Sequence, residues 1–247
     1  MGSLFEKWKK GLKKKVHPFC TAIVPAAGKS SRMGGEDKMF APLCGVPVLA
    51  RTLTVLDQAV LVDEIVVAAQ PEKLEEVATL VSSAGIRKPV RVVEGGASRA
   101  ESVLLAALEA NEDVEYLAVH DGARPLVLPE QVDDLIRLGQ RTYAVAPAVP
   151  VTDTVKVADL SGLVLSTPDR STLFAVQTPQ VFQANLLKAA LQSAIAAEAP
   201  LTDDCSAVER LGKEVYLTPG WRENIKITTP EDLSVAELFL HRREVQA

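Results

Sequence analysis

The chain has 247 residues, 47% of them hydrophobic and 24% charged, with a formal net charge of −5. Such apolar content excludes a wholly disordered chain, the length suits one α/β domain with an appendage, and no apolar run approaches the roughly 20 residues of a membrane-spanning helix. The charge argues against a dedicated nucleic-acid binder and is uneven: residues 1–20 carry six lysines against Glu6 alone, leaving a body with 21 basic and 31 acidic residues, net −10.

In chain order, Phe5, Trp8, Leu12, Val16 and Phe19 recur at helical intervals with lysines between them. This basic N-terminal extension (residues 1–20) reads as a membrane-surface helix or as a soluble helix with solvated lysines, and the second reading is the expected one. Thr21–Pro25 reads as a strand, followed by a Gly/Ser-rich loop to Lys38. Pro47–Ala59 reads as helix, Glu64–Ala69 as strand, Glu72–Ser83 as helix and Val90–Val93 as strand. Ser98–Ala110 opens with Ser98 and Glu101 three residues on, a capping box. Tyr116–His120 reads as strand, Pro129–Gln140 as helix and Ala144–Ala148 as strand.

Apolar runs alternating with amphipathic helices predict β-α-β units: an α/β fold with a mainly parallel sheet flanked by helices. Residues 151–176 break that rhythm. Val155–Val157 and Leu163–Ser166 flank Ser161–Gly162, a hairpin turn, and predict a β-arm projecting from a domain that spans 21–247. Helices over Phe182–Ala197 and Asp203–Leu211, strands over Val215–Thr218 and Ile225–Thr228, and a last helix from Pro230 complete the expectation.

Cys20, Cys44 and Cys205 are far apart with no C-x-x-C pair, and the only histidines are His17, His120 and His241. Free thiols in a reducing compartment are expected, a zinc site is not, and no metal-ligating residue is assigned. Without a long apolar h-region at the N-terminus, the expected location is the cytoplasm.

Ligands of such sheets bind beyond the carboxyl ends of the strands. The loop Ala26–Gly35 there is rich in small residues, whose backbone N–H groups can approach phosphate oxygens, and Arg32 adds a planar cationic fork. It is neither common phosphate loop. Ile23 stands where a Walker motif needs its first Gly, and Ser30 replaces the second Gly of the dinucleotide fingerprint. A second loop holds Gly95–Gly96 with Arg99 and Ser102, and a third holds His120–Pro125. In the third, Asp121 and Arg124 either bind metal and phosphate or pair with each other. Thr178, Thr202 and Lys226 add hydroxyls and a cation further on. Four cations (Arg32, Lys38, Arg124, Lys226) in an acidic protein point to a polyanionic small molecule.

These strings, P-A-A-G-K-S-S-R-M with Lys38, G-G-A-S-R-A-E-S-V, H-D-G-A-R-P, P-V-T-D-T-V-K, Q-T-P-Q, T-D-D and N-I-K-I-T-T-P-E-D-L, fall in order from about Thr21 to Leu240. Together they closely resemble the 2-C-methyl-D-erythritol 4-phosphate cytidylyltransferases of the non-mevalonate isoprenoid pathway. The resemblance implies a Rossmann-like nucleotidyltransferase, a homodimer joined through the 151–176 arm, that uses CTP, methylerythritol phosphate and Mg²⁺. It implies nucleotide binding at Ala26, Ala27, Gly28, Gly96, Ser102 and Gly122, and transition-state cations at Arg32 and Lys38. Sugar-phosphate binding is implied at Asp121, Arg124, Thr178, Thr202 and Lys226, with Thr154 and Arg170 contributed by the arm. The chain departs from the family's usual residues at Ala97 (Asp), Met39 (Gln) and Gly122 (Ala). Two alternatives are a cytidylyltransferase acting on ribitol 5-phosphate and a non-catalytic nucleotide-sensing module.

Overall fold

A computed structural model describes residues 17–28 and 37–246. The N-terminal segment 1–16 and the stretch 29–36, which includes Arg32, lie outside the described residues. The first helix reading and one predicted catalytic cation therefore have no structural account here.

The strands are β1 (Cys20–Pro25), the two-residue β2 (Pro42–Leu43) and β3 (Val46–Pro47), β4 (Glu64–Ala69), β5 (Val90–Glu94), β6 (Tyr116–Val119) and β7 (Ala144–Pro150). They continue as β8 (Val157–Ala158), β9 (Val164–Ser166), β10 (Phe174–Val176), β11 (Gln180–Gln183) and β12 (Tyr216–Pro219). The helices are α1 (Val48–Gln58), α2 (Leu74–Ser83), α3 (Arg99–Leu108), α4 (Pro129–Thr142), α5 (Ala184–Ala196), α6 (Asp204–Arg210) and α7 (Pro230–Gln246).

One sheet runs in the order β10–β7–β11–β6–β1–β4–β5, with β12 on β7. The pairings β6–β1, β1–β4, β4–β5 and β7–β12 are parallel, whereas β10 and β11 run antiparallel to their neighbours. The sheet is mixed and mostly parallel, as the β-α-β rhythm predicts. Side-chain alternation divides its strands between two cores. Ala22, Val24, Ile65, Val67 and Ala118 face α1, α2, α4 and α7, and Ile23, Val66, Ala68, Leu117 and Val119 face α3, α5 and α6. Burial on both faces explains why these strands read as continuous apolar runs.

Ser98 caps α3 as predicted: its hydroxyl accepts the Glu101 N–H at 3.1 Å while the Glu101 carboxylate accepts the Ser98 N–H at 3.2 Å. The cap matters because α3 begins at the mouth of the candidate site.

Three expectations need correction. Phe182 and Gln183 belong to β11 rather than to a helix, which begins at Ala184, because they pair with Leu117 and Tyr116 of β6. Ile225–Thr228 is not a strand: it is held by a single ladder-like bond, from Ile227 N–H to Ala123 O at 2.8 Å. In the arm, the first short strand lies at Val157–Ala158 instead of Val155–Val157, and Phe174–Val176 is a strand of the main sheet. The hairpin turn holds, with Gly162 at φ +87° and its N–H on Asp159 O.

Cys20, Cys44 and Cys205 are unbonded to one another. No helix among the described residues is long and apolar enough to cross a membrane.

Candidate active site

The loops that follow β1, β5 and β6 converge on a cleft of about 710 Å³. Ala27 and Gly28 come from the first loop, Gly96 and Ser102 from the second and its helix, and Asp121 and Gly122 from the third. Lys38 and Lys226 bring cations to the same cleft. Eight of the sequence-predicted residues thus meet in one place, at the carboxyl ends of the parallel strands.

The first two loops close on each other. Ala26 N–H and Gly95 N–H donate to the β4 carbonyls of Ala68 and Ala69 at 2.7 and 2.8 Å. A Cβ on Gly95 would stand 2.6 Å from the Ala27 Cβ, so no larger residue fits without opening the wall. Ser102 is buried; its hydroxyl donates to Ser98 O at 2.8 Å and accepts the Gly96 N–H at 3.1 Å. It shapes the loop from behind. The N-terminus of α3 faces the cleft and favours an anion there.

The floor is an ion cluster centred on Asp121. Its Oδ2 lies 3.0 Å from Lys226 Nζ and 3.3 Å from Arg124 Nε, and its Oδ1 lies 3.6 Å from Arg99 Nη2. Burial alone would raise the Asp121 pKa, but Lys226, Arg99 and Arg124 hold it well below the usual carboxylate range. Asp121 and Arg124 do pair with each other, one of the two readings open from sequence. Arg99 also reaches the fully buried Asp204 at 2.8 Å. Burial lowers the Arg99 pKa and the two carboxylates more than restore it, so the guanidinium stays charged.

Beneath the floor, His120 and Thr178 are buried. His120 Nε2 lies 3.0 Å from the Arg124 carbonyl, which only accepts, so that nitrogen carries the proton and Nδ1 accepts the Thr178 hydroxyl at 3.0 Å. Thr178 Oγ1 in turn accepts the Asp121 N–H at 3.0 Å. Burial pushes His120 down to about 4, so the ring is neutral at neutral pH.

Not every predicted residue lines the cleft. Ala26 is buried behind the wall, and Arg124 and Thr178 sit under Asp121. Thr202 is exposed and outside it. In the arm, Thr154 and Arg170 are exposed, and Arg170 Nη1 donates to Thr152 O at 2.7 Å, within the arm itself. Sequence places Arg99 in the second loop but gives it no role, and gives none to Asp204 of the T-D-D string. Their contact links residues more than a hundred positions apart, which spacing does not reveal.

The described residues do not offer a protein-held divalent cation a cage. No three His, Cys, Asp or Glu side chains among them converge, and Asp121 is already neutralised by three cations.

A Rossmann-like sheet with small-residue loops and cations at its strand ends defines a nucleotidyltransferase. A family model described as 2-C-methyl-D-erythritol 4-phosphate cytidylyltransferase matches residues 20–242. The chain is 43% identical over 222 residues to the protein of that name from Bacillus cereus (strain ATCC 10987 / NRS 248), covering 90% of this chain and 97% of the relative. It is 44% identical over 227 residues to that of Symbiobacterium thermophilum, covering 92% and 94%. Among solved structures, 4-diphosphocytidyl-2C-methyl-D-erythritol synthase from Anaerococcus prevotii DSM 20548 matches with a TM-score of 0.80 and 29% identity over 90% of this chain and 98% of its own. The 2-C-methyl-D-erythritol 4-phosphate cytidylyltransferase of Thermus thermophilus matches with 0.72 and 30%, over 90% and 99%. The chain belongs to the 2-C-methyl-D-erythritol 4-phosphate cytidylyltransferase family.

Proposed function

We propose that this chain transfers the CMP moiety of CTP to 2-C-methyl-D-erythritol 4-phosphate, giving 4-diphosphocytidyl-2-C-methyl-D-erythritol and pyrophosphate for isoprenoid synthesis. The observation that carries the reading is the family match over residues 20–242, with eight of the predicted site residues lining one cleft.

The chemistry suits the residues. The nucleophile is a phosphate monoester with a second pKa of about 6, so it is largely ionised at neutral pH and needs no general base. One of its oxygens bonds to the α-phosphorus of CTP, the α–β bridging bond breaks, and pyrophosphate leaves with the electron pair. The difficulty is to bring two anions together and to hold the charge that builds on the α-phosphoryl group and the leaving oxygens. Ala27, Gly28, Gly96 and Gly122 supply close backbone approach for the nucleotide, and Ala26 and Ser102 hold the loops that do so. Lys38 and Arg32 are assigned the transition-state charge. Lys226, Arg124 and Asp121 hold the sugar phosphate, with Thr178 supporting Asp121 from beneath and Thr202 assigned by the family resemblance alone.

The arm belongs to the same reading. Leu160, Leu163, Val164 and Leu165 are exposed at its tip and Phe174 at its base, and no cleft-lining residue comes from 151–176 of the same chain. A homodimer that exchanges arms covers these side chains and brings Thr154 and Arg170 to the partner's sugar-phosphate site. Mg²⁺ is assigned to the triphosphate rather than to a protein-held site, since the described donor set does not fit one. The enzyme is assigned to the cytoplasm.

Pyrophosphate release tests the reading. Turnover with CTP, Mg²⁺ and methylerythritol phosphate is expected. Turnover only with ribitol 5-phosphate replaces the acceptor, and none with any acceptor turns the reading into a nucleotide sensor.

A further inference from the structure

Arg124 and Lys226 approach Asp121 from two different segments, the turn after β6 and the chain after β12. Something must hold those segments in register, and surface loops do not register themselves. The buried side chain of Gln177 lies where they meet. Its Oε1 accepts the Trp221 N–H at 3.1 Å, and its Nε2 donates to Trp221 O at 2.9 Å and toward Asn224 O at 3.4 Å. The amide thus pairs with both backbone groups of Trp221, as a neighbouring strand would. Asn224 passes the constraint on. Its carbonyl accepts Arg124 Nη1 at 2.7 Å, and its fully buried side chain donates to Thr178 O at 2.8 Å. Two residues later Lys226 reaches Asp121 at 3.0 Å. The next residue in sequence, Thr178, fixes the Asp121 N–H. The dipeptide Gln177–Thr178 therefore grips both halves of the ion cluster.

We propose that Gln177 is a positioning residue for the sugar-phosphate site, setting the places of Arg124 and Lys226 through Trp221 and Asn224. It touches no cleft space itself. Gln177→Leu, of similar volume, leaves the Trp221 N–H with no partner and takes one donor from each of the Trp221 and Asn224 carbonyls. Those carbonyls keep only the Asn224 N–H and Arg124 Nη1, and the loop must move for the Trp221 N–H to find water. A shift of about 1 Å at a charge that orients a reactant is enough to cost roughly 100-fold. The loss falls on the acceptor, because the side-chain hydrogen bonds of Gln177 go to Trp221 and Asn224, on the segment that carries Lys226, and to none of the described residues of the loops after β1 and β5.

The effect on catalysis rests on the assignment of Lys226 and Arg124 to the sugar phosphate; the clasp itself does not. Two readouts separate them. Lysine acetylation of the native full-length protein, followed by mass spectrometry, reports the Lys226–Asp121 pair directly. In Gln177→Leu, Lys226 is expected to react several-fold faster against Lys73 as internal reference, while the melting temperature falls by only a few degrees. The KM for methylerythritol phosphate is expected to rise about tenfold or more, with the KM for CTP within about twofold. Unchanged Lys226 labelling overturns the clasp, and so does a rise in both KM values together with a collapse in melting temperature. Calorimetric binding of methylerythritol phosphate to Lys226→Ala, in the presence of a CTP analogue with a carbon-bridged α–β linkage, tests the assignment separately. If that affinity equals wild type, the assignment of Lys226 falls, and the labelling alone decides the clasp.

Discussion

Thr178 Oγ1 stands 3.0 Å from His120 Nδ1 and receives the Asp121 N–H at the same distance, so its hydroxyl is spent inside the protein. With 4% of its surface exposed, Thr178 supports the cleft from beneath. Thr178→Val keeps the shape but deprives His120 of a donor and Asp121 of an acceptor. Each buried group left unpaired costs about 1–3 kcal/mol, whereas Thr178→Ser keeps both bonds. Denaturant unfolding is expected to rank wild type near Ser and both well above Val. Equal stabilities for Ser and Val would show that the relay contributes nothing.

The same relay makes stability depend on pH. His120 titrates near 4 when folded, chiefly because it is buried, against an ordinary value of 6.5. Between those values the unfolded chain binds the proton and the native one does not, so stability falls as pH drops below about 6.5. Integrating the difference gives a loss of about 2 kcal/mol from pH 7 to pH 5. Asp121 faces the ring's neighbourhood with a depressed pKa, and its contribution is lost only below the ordinary carboxylate range. Unfolding free energies of wild type and His120→Asn at pH 7 and 5 check this. The variant is expected to show the shallower dependence, and parallel curves would remove His120 from the account.

The alternation of β-α-β units and the Ser98–Glu101 cap were legible because both are local and periodic. So was the convergence of the three loops, since strand ends in a parallel sheet share one edge. The run Ile225–Thr228 alternates like a strand yet makes one long-range backbone bond, to Ala123, its other N–H bonds being local, and no local pattern says that a partner strand is missing. Phe182 reads as the start of a helix until β6 and β7 pair with it. The ion cluster was half legible: its residue types stood in the motifs, but Asp204 meeting Arg99 is a tertiary fact, and so is the inward turn of Thr178.

Two departures from the family's usual residues meet in the structure. A Cβ on Gly122 would stand 3.2 Å from both Met39 Sδ and Leu49 Cδ1. The Gly122 carbonyl is anchored by Thr52 Oγ1 at 2.9 Å, so the backbone cannot readily retreat. Met39 therefore occupies the room that an alanine at 122 would need. Gly122→Ala alone is expected to weaken CTP binding by roughly 1–3 kcal/mol through overpacking at the cleft wall. Adding Met39→Gln, with a side chain that turns outward, is expected to recover part of it, a coupling of about 0.5 kcal/mol or more in a double-mutant cycle. Additive effects on the CTP dissociation constant would show the two sites to be independent.

Lys38 lines the cleft, and Arg32 is assigned beside it from the motif alone. Each cation is expected to gain interaction as charge develops on the transferred phosphoryl group, so Lys38→Ala and Arg32→Ala should lower kcat by roughly 10²–10³ while CTP affinity changes little. Single-turnover kinetics with equilibrium CTP binding check both. A raised KM with kcat intact assigns that residue to ground-state binding instead.

The arm gives the last test. Arg170 donates to Thr152 within the arm and Lys226 lines the cleft, so a complete site in the proposed dimer draws the two from different chains. Arg170→Ala and Lys226→Ala are each expected to be nearly inactive as homodimers, because both copies of the site lack one charge. A heterodimer of the two variants places both lesions in one site and leaves the other intact. Co-folding equal amounts and isolating the heterodimer with two affinity tags should therefore recover about half of the wild-type rate per dimer, by the two-fold symmetry of the assembly. If Arg170 instead serves its own subunit, each site in the heterodimer carries one lesion, and activity stays at the level of the parents. Recovery well above both parents supports exchange of the arm, and parental activity in verified heterodimers removes Arg170 from the partner's site.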